Sequence, residues 1–173
     1  MIVHRHPVWR HLTNFVFIML LVEFLDEFAY SALEAVRPLI RDAFSLGYAE
    51  LGLITTLPVL TAILIESVAG LFADTGKRRL LIVVGGVLFG LGLVIQSQAG
   101  SFPVFLLGAI LQAPASGVFV NLAQAALMDD APLRRENRMA LWTFSGSLAV
   151  VTGPLLITAG IALGTGWRSF FLG

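Results

Sequence analysis

The chain has 173 residues, 57% of them hydrophobic and 13% charged, with a mean hydropathy of +0.88. Soluble domains carry about 25% charged residues, so this composition belongs to an integral membrane protein. Lys+Arg and Asp+Glu balance at 11 each, which speaks against a nucleic-acid partner, and the lack of cysteine excludes disulfides, thiolate nucleophiles and Cys-ligated metals. No cofactor and no metal site are expected.

In chain order, apolar windows place membrane helices over residues 12–39, 51–72, 80–98, 102–128 and 139–163, with a sixth starting near Trp167. Runs of this kind match the roughly 20 residues that a crossing needs. His4, Arg5, His6, Arg10 and His11 give the first run the flank of a signal peptide. Glu23, Asp26 and Glu27 interrupt its core, however, and no small-x-small cleavage site follows, so it reads as an uncleaved first helix. The expected fold class is an all-α membrane protein: five complete transmembrane helices plus the start of a sixth. Residues 1–173 then form one bundle without a soluble domain.

Basic residues sort by side. Arg5 and Arg10 precede the first span, Lys77, Arg78 and Arg79 follow the second, and Arg134, Arg135 and Arg138 follow the fourth. The opposite side shows only Arg37, Arg41 and Arg168. An excess of Lys and Arg marks cytoplasmic loops, which puts the N-terminus of this multi-pass chain in the cytoplasm, with the plasma (inner) membrane as the expected location.

The spans also carry packing signals. Gly86 and Gly90 form a GxxxG pair beside Gly85 and Gly92, and Gly146, Gly153 and Gly160 recur every seven residues in the fifth span. Small residues on one face let helix backbones approach closely in lipid. A general richness of membrane helices in glycine accounts for the first set equally well; the regular spacing of the second favours packing.

The first helix carries the chemistry. At about 100° per residue, Glu23, Asp26, Glu27, Tyr30, Glu34, Arg37 and Arg41 fall within an arc of roughly 100°. A carboxylate facing lipid at the bilayer centre costs several kcal/mol, so the stripe is expected to face the bundle interior or a water-filled cavity. There it can carry protons or attract a cationic substrate. The alternative is ion pairing, with Glu34, Arg37 and Arg41 neutralising one another along one helix. Asp26 and Glu27 have no basic residue within a turn. Glu66, alone in the second span, fits either a coupling role or a hydrogen bond to a neighbouring helix. Gln112, Ser116, Asn121 and Gln124 share no narrow face, so some of them join helices and others line a cavity.

Several motifs occur together in order. Asp26 is followed by Val36-Arg37-Pro38-Leu39-Ile40; Gly70, Asp74, Gly76, Lys77 and Arg78 form the second loop; Gly153-Pro154 lies in the fifth span and Gly166-Trp167-Arg168 at the entry to the sixth. This set, across nearly the whole chain, resembles the N-terminal half of a major facilitator superfamily transporter of the proton-coupled drug-antiporter-like branch. Three positions depart from the family pattern. One residue rather than two separates Asp74 from Gly76, Ala109 stands where the fourth helix usually has an arginine, and Ile157-Thr158 replaces the glycine pair after Gly-Pro.

The resemblance implies a twelve-helix transporter built from two halves, of which this chain would be the first, lacking its C-terminal six-helix partner. It implies secondary, proton-coupled transport of a small organic solute across the bilayer by alternating access. Asp26, Glu27, Glu23, Glu34 and Arg37 are then the candidates for the proton or substrate cavity. In the family the loop aspartate, here Asp74, meets a helix end in the other half and stabilises the closed cytoplasmic face. A truncated fragment without transport of its own fits the same sequence. An intramembrane enzyme fits poorly: all three histidines precede the first span, and no G-x-S-x-G occurs.

The basic-residue count yields a direct test of topology. Single cysteines at Thr75, Ser101 and Asn137 would be treated with an impermeant thiol reagent in intact cells. Only the Ser101 site is expected to react, and labelling at Thr75 would reverse the orientation.

Overall fold

A computed structural model describes residues 8–72 and 76–169, with side chains from residue 14 onward. Six α-helices follow one another: α1 (Val8–Ala35), α2 (Arg37–Phe44), α3 (Tyr48–Phe72), α4 (Arg78–Gln98), α5 (Phe102–Asp130) and α6 (Arg135–Ala162). No strand occurs among the described residues. An apolar solvent leaves backbone N–H and C=O groups no partner but each other, and the helix satisfies them within one segment. Four segments are long and apolar enough to cross a membrane: α3, α4, α5, and Pro132–Ala162, which joins a 3-10 turn to α6. These four segments overlie the apolar windows 51–72, 80–98, 102–128 and 139–163, the last beginning seven residues earlier, at Pro132. The sixth helix was expected near Trp167; the described chain there is a turn reaching Ser169, and Phe170 onward lies outside the described residues.

The first span differs from expectation. Instead of one helix to Leu39, α1 stops at Ala35 and the short α2 restarts at Arg37. Pro38 is the cause: it has no N–H to donate to the Glu34 carbonyl, and its ring crowds that carbonyl. The neighbouring bonds bridge the break, Val36 N–H donating to Ala32 O at 3.3 Å and Ile40 N–H to Val36 O at 3.0 Å. α2 closes on Ser45 in the left-handed conformation (φ 52°), where Leu46 N–H returns to Arg41 O at 2.9 Å. The count of five apolar crossings also narrows. α1 has 28 residues, but Glu23, Asp26, Glu27 and Glu34 set it apart from the four apolar segments.

Small residues decide how closely the helices pack. On α4 the close contacts to α5 come from Gly85 and Gly92 rather than from the Gly86–Gly90 pair. A Cβ at Gly92 would stand 2.8 Å from Gln112 Cβ and 2.9 Å from Gly108 O, and one at Gly85 would stand 3.1 Å from Ala115 O. Gly86 meets only the Phe119 ring, and Gly90 has nothing within 4 Å. Two helical turns separate Gly85 from Gly92, which keeps both on the seam. On α6, Gly153 lies against α1, with Phe28 O 2.8 Å from where its Cβ would be. Hydroxyls reinforce that seam: Ser145 donates to Leu20 O at 2.8 Å and Ser31 to Ala149 O at 3.4 Å. Gly146 also faces α1, through Glu23, whereas Gly160 meets only Thr165 beyond its own helix end.

Two apolar clusters close the ends of the bundle. At the α2 end Ala32, Val36, Ile40, Leu46, Phe105, Ile157 and Trp167 pack together. At the other end Met19, Val22, Phe119, Ala123, Leu127 and Trp142 do the same. α3 lies against α5 with Pro58 as its one buried residue.

The α4–α5 seam can be tested by thermal unfolding of the full-length protein in detergent. Gly92→Ala forces a methyl group into backbone contact and is expected to destabilise by about 1–3 kcal/mol. Gly90→Ala, in open space, is expected to be neutral or to stabilise by up to about 1 kcal/mol through helix propensity. Equal melting temperatures for the two variants would refute the seam.

Candidate functional site

The polar stripe of α1 was expected to present one face to one cavity. The structure divides it. Consecutive residues on a helix differ by about 100°, the whole width of the arc, so Asp26 and Glu27 stand at its opposite edges. α5 contributes to the walls on both sides, with Ser116 beside Asp26 and Gln124 beside Glu27. Asp26, Tyr30, Glu34 and Arg37 face a cavity of about 230 Å³ shared with α3 and α5. Glu23 and Glu27 face a second, more open cavity of about 550 Å³ between α1, α5 and α6. Arg41 lines a further cavity with Glu34 and Arg37 but is not part of their ion pair. Its guanidinium lies 5.7 Å from the centre of the Tyr48 ring and donates to Leu46 O at 3.4 Å.

In the first cavity Asp26, Glu34, Arg37, Gln96, Gln112 and Ser116 have defined partners. The Asp26 carboxylate accepts the Ser116 hydroxyl at 2.6 Å, and among the described residues no cation pairs with it. Ser116 comes from the middle of α5, so the bond ties the two helices together across the cavity. Glu34 and Arg37 pair with each other, which is the local neutralisation that their three-residue spacing permits. Gln96 of α4 donates to Gln112 of α5 and to Gly92 O. Ala109 lines the same space, so the position where an arginine is usual contributes room instead of charge. Ile40 and Phe105 close the end towards α2.

The polar row on α5 resolves into separate partners. Ser116 bonds Asp26 on α1, Gln112 bonds Gln96 on α4, and Asn121 donates to Glu66 on α3 at 3.1 Å. Gln124 lies over Met139 and lines the second cavity. Glu66 therefore makes the bond to a neighbouring helix, seated against Gly117, where a side chain would collide with its carboxylate.

The loop motif is described in part. Asp74 lies outside the described residues, Gly70 and Lys77 are exposed, and Gly76 adopts φ 78°, a left-handed turn that glycine enters without steric cost. Arg78 donates to Asp129 at 2.7 Å, and Arg135 lies 3.7 Å from the same carboxylate. Arg138 pairs with Asp130 at 3.4 Å. Sequence reasoning missed Asp129 and Asp130, although two acids closing an apolar span just before an arginine-rich loop were a usable signal. At the other end Gly166-Trp167-Arg168 forms a cap. Trp167 packs edge-on against Phe105, and Arg168 lies over the Trp167 and Phe44 rings while donating to Ala99 O at 3.3 Å. Gly153-Pro154 marks the crossing of α6 over α1 rather than the lining of either cavity.

Comparison with known proteins agrees with this arrangement. The family described as Major Facilitator Superfamily matches residues 17–173. The fosmidomycin resistance protein of Escherichia coli (strain K12) is 28% identical over 138 residues, covering 80% of this chain and 34% of that protein. The chain thus spans about a third of the length of that curated relative. No solved structure matches. With apolar helices long enough to cross a bilayer and a family match over nearly its whole length, the chain is a multi-pass membrane protein that belongs to the major facilitator superfamily, whose members are transporters rather than enzymes.

Proposed function

We propose that the chain is the N-terminal bundle of a secondary transporter for a small organic solute, driven by protons and working with a second six-helix half. In this reading α1 is a fifth crossing, a sixth starts near Trp167, and the N-terminus and the Arg78 end face the cytoplasm from the plasma membrane. The direction proposed is export, in line with a relative named as a resistance protein. Turning every α1 carboxylate towards protein or cavity is what makes that helix tolerable in a bilayer.

The observation that carries the proposal is the Asp26–Ser116 contact at mid-helix in the first cavity. A neutral hydroxyl suits a group that must gain and lose a proton: it donates to the carboxylate and can accept from the carboxylic acid, so the bond survives either state. A lysine or arginine partner would instead hold the charged form. The apolar cluster at the α2 end then serves as the outer barrier, and the cavity opens or closes as the two halves rock around it.

Asp26→Asn in the full-length transporter keeps the shape and removes the titration. Accumulation driven by a pH gradient is expected to fall to background while downhill exchange of solute continues. Loss of both modes at normal membrane levels would make Asp26 a substrate ligand, and loss of neither would reduce it to a structural bond.

A further inference from the structure

A third cavity, of about 650 Å³, lies at the α2 end between α2 and α3, lined by Pro38, Arg41, Asp42, Leu51 and Thr55. It meets the Asp26 cavity at one place. Among the described residues, Glu34 and Arg37 alone line both. Their ion pair also spans the joint between two helices, with Glu34 in the last turn of α1 and Arg37 the first residue of α2. At this joint the helical hydrogen bonding is interrupted, because Pro38 has nothing to donate to the Glu34 carbonyl. The Arg37 and Glu34 side chains keep 36% and 38% of their surface exposed. A pair so exposed holds weakly and separates readily. Farther out, Arg41 and Asp42 have no ion-pair partner among the described residues. Arg41 is held instead by Leu46 O and the Tyr48 ring.

We propose that the Glu34–Arg37 pair is a charge filter at the neck between this outer cavity and the Asp26 cavity. Its balance sets what it admits. While the two groups are paired their charges cancel, and ions of neither sign are drawn inward. Either group alone would favour ions of the opposite sign, since a narrow, low-dielectric neck concentrates the field of one uncompensated charge. The outer cavity repeats the balance, with Arg41 against Asp42. A path of this kind favours solutes without net charge. The solute class rests on the transport reading above, whereas the filter is a property of the neck itself.

The test measures labelling rates of single cysteines in the full-length protein in membranes, with no other reactive cysteine present. Two impermeant methanethiosulfonates are compared, one anionic and one cationic. Thr55→Cys reports the outer cavity and Ala113→Cys the inner one. Reagents are applied from whichever face of the membrane labels Thr55→Cys. Both cysteines are placed beside Asp26→Asn, so that the cavity's own carboxylate does not bias the result. Labelling needs no turnover, so failure here leaves the transport proposal standing. With each Ala113→Cys rate divided by its Thr55→Cys rate, the intact pair is expected to favour neither reagent by more than about threefold. Glu34→Gln is expected to raise the anion-to-cation ratio about tenfold or more, and Arg37→Gln to lower it as far. Exchanging the partners, Glu34→Arg with Arg37→Glu, is expected to restore the starting ratio, which a damaged fold would not do. Three results would overturn the proposal. One is that Thr55→Cys reacts from neither face, or Ala113→Cys in no background. The second is a ratio that neither glutamine variant moves. The third is a shift in the same direction in both, which would mean that the pair blocks the neck without reading charge.

Discussion

A carboxylate exposed to hydrocarbon is costly, and α1 carries four of them. This constraint arranges much of what surrounds the helix. α1 must be walled on more than one side, and α5 and α6 supply the walls while α3 completes the first cavity. A helix with a single charged face would need only one polar neighbour. With carboxylates at both edges of a wide arc, α1 takes two cavities, one on each side of α5. The polar groups of α5 follow from the same need, since Ser116 meets Asp26 in one cavity and Gln124 lines the other.

Close approach of helices is the second requirement, and glycine and hydroxyl residues meet it. Between lipid-embedded helices there is no hydrophobic gain from association, so van der Waals contact and interhelical hydrogen bonds carry it. The α1–α6 seam combines both devices: Gly153 admits the α1 backbone, and Ser31 and Ser145 bond across to carbonyls of the partner helix. α4 and α5 rely on reciprocal glycines, Gly92 and Gly108, each standing where a side chain would strike the other's carbonyl oxygen. α3 buries only Pro58, and what ties it to α5 is the Asn121–Glu66 bond, with Gly117 making room for the carboxylate.

The bundle ends are built differently from its middle. At the α2 end aromatic and aliphatic side chains pack around Val36, 1% exposed, and Arg168 seals them by stacking and by capping the Ala99 carbonyl. At the opposite end Arg78, Arg135 and Arg138 share the carboxylates of Asp129 and Asp130. The more exposed pairs, Arg78 and Arg135 with Asp129, contribute at most about 1 kcal/mol each and weaken with salt. The ion pairs at that end lie beyond the apolar cluster of Leu127 and Trp142, which closes it as the Val36 cluster closes the other.

The sequence by itself determined that the chain is helical, where the apolar segments lie and which family it resembles. Those properties are local: a run of about 20 apolar residues has no other way to satisfy its backbone in lipid, and a proline such as Pro38 breaks a helix whatever surrounds it. The pairing of Glu34 with Arg37 was one of the two readings open in the sequence, since residues three apart on one helix are neighbours in any fold. Only the tertiary structure decided the rest. Asp26 and Ser116 are 90 residues apart in the chain, and Arg78 and Asp129 are 51 apart, so no periodicity could join them. Which glycines form the α4 seam depended on where α5 lies, and the Gly86–Gly90 spacing, read alone, pointed to the wrong face. The division of the α1 stripe has the same origin. Its arc was legible, but the line at which α5 divides it is set by packing, and a single 100° step separates adjacent residues into different cavities.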